Sequence, residues 1–229
     1  MLENTENQYC YNYPHPSVTT DAVVFTIFKD KLRILLIKRG AAPYRGCWAI
    51  PGGFLEMDED LDECARRELQ EETGVEKIHM EQLYTFGTPG RDPRERVISV
   101  AYFAITPYEN IKPVAASDAS DVEWFPLNNL PTLAFDHDKI IDMAQNRLKL
   151  SLGYSDLVFK FLPETFTLSE AQKIYERVSN KNLDKRNFRK SVTNSGFIEE
   201  TGRTRCDGSH RPARLYRIAN EKQTHSINS

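Results

Sequence analysis

The sequence has no apolar run of the roughly 18 residues that a membrane-spanning helix needs. Its longest clean stretches are Ala22 to Phe28 and Ile34 to Ile37, so the chain is expected to have no place in a bilayer. It is also poor in cysteine. Cys10, Cys47, Cys64 and Cys206 are scattered and form no C-x-x-C pair, which excludes a zinc knuckle or a redox motif of that type. That usage suits a reducing cytoplasm, with each thiol an apolar filler or, alternatively, an isolated nucleophile. No basic stretch followed by an apolar one opens the chain. Residues 1–16 are polar and rich in Tyr, Asn and Pro, and read as a flexible arm rather than a secretory signal. There is no internal repeat, and residues 221–229 read as a disordered tail.

With 229 residues, of which 40% are hydrophobic and 28% charged, the chain can bury a core as one domain with a long appendage or as two small domains. The net charge of -3 conceals an asymmetry. Through Leu150 there are 24 acids against 16 bases; beyond it, 9 against 14. A basic appendage makes nucleic acid the first candidate partner, the alternative being lysines that merely solubilise a small domain.

Thr19 to Phe28 and Leu32 to Ile37 are rich in β-branched residues and flank a short polar turn, the pattern of a hairpin. Asp60 to Thr73 follows helical period and ends at Gly74. Strands are expected at Met80 to Phe86, Val97 to Ile105 and Asp121 to Phe125, a helix at Asp138 to Leu148, and a boundary at Leu150 to Gly153. Beyond it, Thr167-Leu-Ser-Glu170 is a capping box before a helix with apolar Leu168, Ala171, Ile174, Tyr175 and Val178. A second helix spans Asp184 to Asn194, and two short strands follow at Phe197 to Thr201 and Ala213 to Ile218. Helix, helix and hairpin make a winged helix-turn-helix.

The chemistry concentrates in Gly53 to Val75, GFLEMDEDLDECARRELQEETGV. At about 100° per residue, Leu61, Cys64, Ala65 and Leu69 mark the buried stripe, yet Glu68 and Glu72 fall beside it and Glu71 lies at its edge. Acids placed there cost free energy unless something pairs them, and clustered carboxylates raise one another's pKa. A hard divalent cation, Mg²⁺ or Mn²⁺, removes both penalties and bridges to substrate phosphates. Gly52 and Gly53 allow close backbone approach, and Arg67 is placed to orient the acids. The plainer alternative is a Glu-rich surface helix.

This segment resembles the Nudix box, G-x5-E-x7-R-E-U-x-E-E-x-G-U with U aliphatic, at Gly53, Glu59, Arg67, Glu68, Leu69, Glu71, Glu72, Gly74 and Val75. The resemblance implies an α+β protein built on an α/β/α sandwich over residues 17–150 that cleaves nucleoside diphosphates linked to another moiety. It further implies Glu68, Glu71 and Glu72 as metal ligands, with Glu68 helping to deprotonate the attacking water and Arg67 and Glu59 organising the helix. Products would be two monophosphates, such as AMP and ribose 5-phosphate. The general base varies among relatives; Glu95 and Glu123 are candidates, or ordinary surface acids. The segment Gly90-Arg91-Asp92-Pro93-Arg94 resembles the corresponding loop of ADP-ribose pyrophosphatases, so Arg91 and Arg94 are candidate substrate contacts, although Asp92-Pro93 is also simply a good turn. Trp48 could stack on a base or belong to the core. His137 reads either as an acid/base group or as a helix N-terminal residue between capping aspartates.

In residues 151–220, Phe188 and Val192 face one way while Arg186, Arg189 and Lys190 project from the other side, as in a recognition helix. With Asn187, and with Arg203, Arg205 and Arg211 of the wing, they are candidate DNA contacts. This half resembles the winged-helix domain of Nudix-related transcriptional regulators. The combined resemblance implies a metabolite-responsive, dimeric regulator that recognises ADP-ribose or a similar nucleoside diphosphate sugar. Two alternatives stand beside it: a transcription factor that binds its ligand without turnover, and a housekeeping hydrolase whose tail only mediates dimerisation.

Overall fold

The computed structural model describes residues 12–76, 78–111, 119–206 and 212–219. The first eleven residues of the expected arm, the tail from Asn220 and Arg211 lie outside them. β1 (Ser17–Phe28) and β2 (Lys31–Arg39) form the hairpin, turning through Lys29 and Asp30, whose φ values of 48° and 58° suit a tight reversal. β3 (Trp48–Ala49) and β4 (Gly52–Phe54) flank a sharp bend at Ile50 and Pro51. α1 (Leu61–Thr73) follows, capped by Asp60 in a reciprocal box with Glu63 and ended by Gly74 at φ 72°. β5 (Met80–Phe86), β6 (Val97–Ile105), β7 (Ala119–Pro126) and α2 (His137–Ser151) complete this half.

β1 is the hub of a seven-stranded mixed sheet. β6 runs parallel along it from Ser17 opposite Val97 to Phe25 opposite Ile105. On its other side β2 pairs only with Phe25 to Phe28, while β4 pairs with Thr19 to Asp21. The edge of β1 is thus shared by two partners, and the Gly52–Gly53 turn is laid against Thr20 and Asp21 where β2 has diverged.

The central strands are buried on both faces, which is why they read as continuous apolar runs instead of alternating ones. Val23, Phe25, Ile34, Leu36, Ala101 and Phe103 join Ile140, Ile141, Ala144 and Leu148 of α2 in one core. Ala22, Val24, Leu35 and Ala104 pack with Leu69 of α1, and Ala65 packs with Val100 and Tyr102. One helix on each face makes the α/β/α sandwich.

The C-terminal elements are α3 (Leu168–Ser179), α4 (Lys185–Asn194), β8 (Ile198–Arg205) and β9 (Ala213–Ile218), a winged helix with both the Thr167 capping box and an Asp184 cap in place. The core does not break at Leu150, because α2 runs on to Ser151 and a 3₁₀ segment, Leu157–Phe161, inserts its apolar side chains beneath the sheet. Phe159 stacks on Phe166 at 5.6 Å, and the same cluster continues through Ala171, Phe188 and Val192. Loss of helical period at residues 150–153 marks a change of element rather than of core. Among the described residues, no helix is long and apolar enough to cross a membrane.

Candidate functional site

α1 brings its acids to the Gly52–Gly53 turn. Arg67 is the centre of the arrangement: its guanidinium donates to Glu59 through Nε and Nη2 at 2.9 and 2.7 Å, to Glu68 at 2.8 Å and to Glu71 at 3.2 Å. A further bond reaches the Phe54 carbonyl at 3.1 Å, tying the helix to the end of the turn. These pairings hold the Glu59 carboxyl down at about 2 and push the Arg67 pKa upward. Glu72 is in the opposite situation. It is buried, accepts a bond from the Gly52 amide at 2.9 Å, and is raised to about 8, first by burial and then by the neighbouring acids Glu68 and Asp21. Burial likewise raises Glu68.

The glycines are required by close approach. A Cβ at Gly53 would overlap the Glu68 carboxylate, and one at Gly52 would overlap the Thr20 carbonyl oxygen. Glu68, Glu72, Arg39, Arg67 and Arg94 line one cavity of about 400 Å³ with this turn. Two acids made reluctant to ionise, facing a shared cavity with only oxygen donors, fit a hard divalent cation. Glu71 does not join them; it is half exposed and turned to Arg67. Among the described residues no three acid, histidine or cysteine side chains converge as a ready-made cage.

Behind the turn lies a buried polar network that the sequence reading largely missed. Arg91 grips Asp136 with two bonds, 2.7 and 3.3 Å, and lies 3.8 Å from Asp21, which also accepts a bond from the Ser99 hydroxyl. His137 is 4% exposed, and its Nδ1 accepts the Ile50 amide at 2.9 Å. Burial lowers its pKa, and because Nδ1 accepts, the ring proton resides on Nε2, 3.6 Å from Asp21. Asp136 precedes α2 but makes no capping bond, because its carboxylate is engaged by Arg91. His137 is thus the first residue of α2, between Asp136 at the N-cap position and Asp138 in the first turn, although the Asp136 side chain makes no capping bond. An acid inside an apolar strand, Asp21 in TTDAVVF, was the one visible signal.

Arg94 is clamped to Asp92 at 2.7 Å and lies between the rings of Phe54 and Phe135, 4.9 and 5.6 Å from their centroids. Arg39, which the sequence reading passed over at the end of a strand, lies 4.9 Å over Phe135 and donates to the Pro43 carbonyl. Its pKa is lowered by burial and by Arg94, the signature of two cations sharing one cleft. Trp48 packs edge-on to Phe125 at 4.5 Å against the core. Glu95 is exposed and bonded to Ser17, and Glu123 is exposed on β7; neither lines the cavity. Cys64 is buried, its thiol pushed up to about 11 by burial, consistent with a filler.

In the winged helix, α4 buries Phe188 and Val192 and exposes Arg186, Asn187, Arg189 and Lys190. Among the described residues no acidic side chain pairs with Arg186, Arg189 or Lys190. Arg203 is exposed on the wing, whereas Arg205 is half-buried and pairs with Glu170 of the α3 capping box.

Residues 18–144 match the NUDIX domain family, and residues 158–218 match the NrtR DNA-binding winged helix domain. The chain is 39% identical over 213 residues to the ADPR responsive transcriptional repressor NtrR of Acinetobacter baylyi, spanning 91% of this chain and 84% of that protein. It is 46% identical over 129 residues to the ADP-ribose pyrophosphatase of Methanocaldococcus jannaschii, spanning 56% and 73%. The crystal structure of Shewanella oneidensis NrtR complexed with a 27mer DNA superposes with a TM-score of 0.77 at 36% identity, covering 88% of this chain and 93% of that one. The chain therefore belongs to the Nudix family, its Nudix domain being followed by a winged helix of the NrtR type.

Proposed function

We propose that this protein is a transcription regulator that recognises ADP-ribose, or a similar nucleoside diphosphate sugar, through its Nudix domain and binds double-stranded DNA as a homodimer through its winged helix. The observation that carries the reading is the presence on one chain of a complete Glu59–Arg67–Glu68 lattice, with Glu72 against the Gly52–Gly53 turn, and of a helix that exposes Arg186, Arg189 and Lys190. The ADP-ribose-responsive repressor and the ADP-ribose pyrophosphatase among its relatives support the same ligand. Dimerisation agrees with the two-fold symmetry that palindromic operators ask of helix-turn-helix proteins.

In this reading Glu68 and Glu72, with Glu71 able to swing from Arg67, hold a divalent ion, Mg²⁺ or Mn²⁺. When bound, that ion supplies positive charge to the diphosphate and acidifies water for attack at phosphorus. Arg67 partly offsets the effect of burial on Glu68 and aims its carboxylate, so that Glu68 can take the proton of the attacking water. Arg39 and Arg94 offer guanidinium donors to the diphosphate oxygens, Arg91 fixes the loop that carries Arg94, and the Gly52–Gly53 backbone permits close approach. Arg186, Asn187, Arg189, Lys190 and Arg203 contact DNA; Arg205 and Arg211 are further wing candidates, the former after release from Glu170.

A second reading, ligand sensing without turnover, is favoured by one observation: Arg67 engages both Glu68 and Glu71, leaving the acids unassembled. Chromatographic product analysis with ADP-ribose and Mg²⁺ or Mn²⁺ separates the two. Release of AMP that disappears in Glu72→Gln supports the hydrolase; intact ADP-ribose that nonetheless changes DNA affinity supports the sensor. Failure to bind ADP-ribose at all would refute both.

A further inference from the structure

The bend between β3 and β4 poses an accounting problem. Ile50 and Pro51 lie outside both strands, so the Ile50 amide has no ladder partner, and Ile50 is 2% exposed. Its partner is the side chain of His137, 87 residues away, which accepts the amide at 2.9 Å. Two residues beyond Ile50, the Gly52 amide donates to Glu72. The backbone that carries the acid cavity is therefore pinned from behind by α2. His137 is itself held in place: Asp136 beside it is gripped by Arg91, Arg91 approaches Asp21, and Asp21 faces His137 Nε2, closing a circuit through β1, the loop of Arg91 and the start of α2. Asp21, Arg91 and His137 all line the smaller cavity of about 90 Å³ that opens beside Gly52, Gly53 and Arg94.

We propose that His137 is a positioning residue of the nucleotide site: its Nδ1, as acceptor of the Ile50 amide, sets the Ile50–Gly53 turn, and the Asp21–Arg91–Asp136 circuit orients the imidazole for that bond. The inference rests on the Nudix domain binding ADP-ribose, and it adds a route by which that site reaches the rest of the molecule. α2 begins at His137 and ends at Ser151, roughly 22 Å away at 1.5 Å per residue, and Leu148 near its far end lies in the core shared with the winged helix. A ligand that shifts the turn thus acts on the first residue of a rod whose last turn supports the DNA-binding half.

The test exploits the two ring nitrogens. In His137→Asn the side-chain oxygen occupies the place of Nδ1 and can still accept the Ile50 amide; in His137→Gln the amide group extends toward the place of Nε2 and cannot. Gln is nearer to His in volume than Asn is, so a role in packing alone would favour the Gln variant, the reverse of the order expected from the Nδ1 bond. ADP-ribose affinity of the full-length protein is measured by titration calorimetry, with thermal unfolding followed in parallel. We expect His137→Asn to bind within about threefold of the unsubstituted chain, and His137→Gln to bind about tenfold or more weakly, the scale of one lost buried hydrogen bond. Equal affinities in the two variants, or an Asn variant as weak as the Gln variant, would overturn the inference while leaving the functional reading intact. If the unsubstituted protein itself shows no ADP-ribose binding, both fall together.

Discussion

Glu72 gives the sharpest quantitative test of the acid cavity. Its carboxyl is moved from an ordinary 4.5 to about 8, chiefly by burial. Because the folded value lies above the unfolded one, its contribution to stability is fully present below about pH 4.5 and is lost as pH rises toward 8. At about 1.4 kcal/mol per tenfold, ionising this group should remove about 3 kcal/mol of stability between pH 5 and pH 8 in the absence of divalent ions. Glu72→Gln keeps an oxygen for the Gly52 amide and removes the titration. The variant should match the unsubstituted chain near pH 5 and exceed it at pH 8, with a difference of roughly 6–12 °C in Tm. Glu59 is lowered to about 2, so its contribution changes only in more acid solution, and the raised Glu68 and the buried His137 are present in both proteins. Thermal unfolding in chelator, followed by circular dichroism from pH 5 to 8.5, reads the difference directly. A Tm difference that stays constant across that range, or a variant less stable at pH 8, would refute the assignment of Glu72 as a buried acid waiting for a cation.

Three further outcomes follow from the geometry. Gly53→Ala drives a methyl into the Glu68 carboxylate; divalent-ion binding, measured by Mn²⁺ titration, should weaken about tenfold or more, and unchanged Mn²⁺ affinity would contradict the cradle. Phe159→Ala removes a ring that is 1% exposed and stacked on Phe166, and should cost about 3–5 kcal/mol. Because that ring belongs to a core shared by both halves, calorimetry should still show one unfolding transition at lower temperature; two transitions with only the second shifted would argue against the shared core. Arg186→Ala with Arg189→Ala should weaken DNA binding, measured by fluorescence anisotropy, and reduce the dependence of log K on log salt by up to about 2, close to 0.9 per lost phosphate contact. An unaltered salt slope would remove α4 from the DNA interface.

Elements whose signals are local were legible in the residues. α1 starts at an Asp60 box and stops at a left-handed Gly74, and Thr167 and Asp184 announce α3 and α4 in the same way. The chemistry of α1 was legible too, since its acids and Arg67 lie within one helix and a helix brings residues three and four apart together. What the order of residues did not reveal is whatever depends on pairing distant segments. Residues 157–161 hold no regular period, yet they close the core because their five-residue turn lies under the sheet.

The sequence by itself determined the class of elements, the carboxylate helix and the basic face of α4, because capping, periodicity and helical spacing are properties of short segments. Only the tertiary structure decided which carboxylates meet the glycine turn, that Arg39 and Arg94 share an aromatic-walled cleft, and that Asp21, Arg91, Asp136 and His137 form one buried circuit. Those groups come from opposite ends of the Nudix domain. Buried charge and an unpartnered amide are satisfied wherever the fold brings a partner, and no local pattern records that choice.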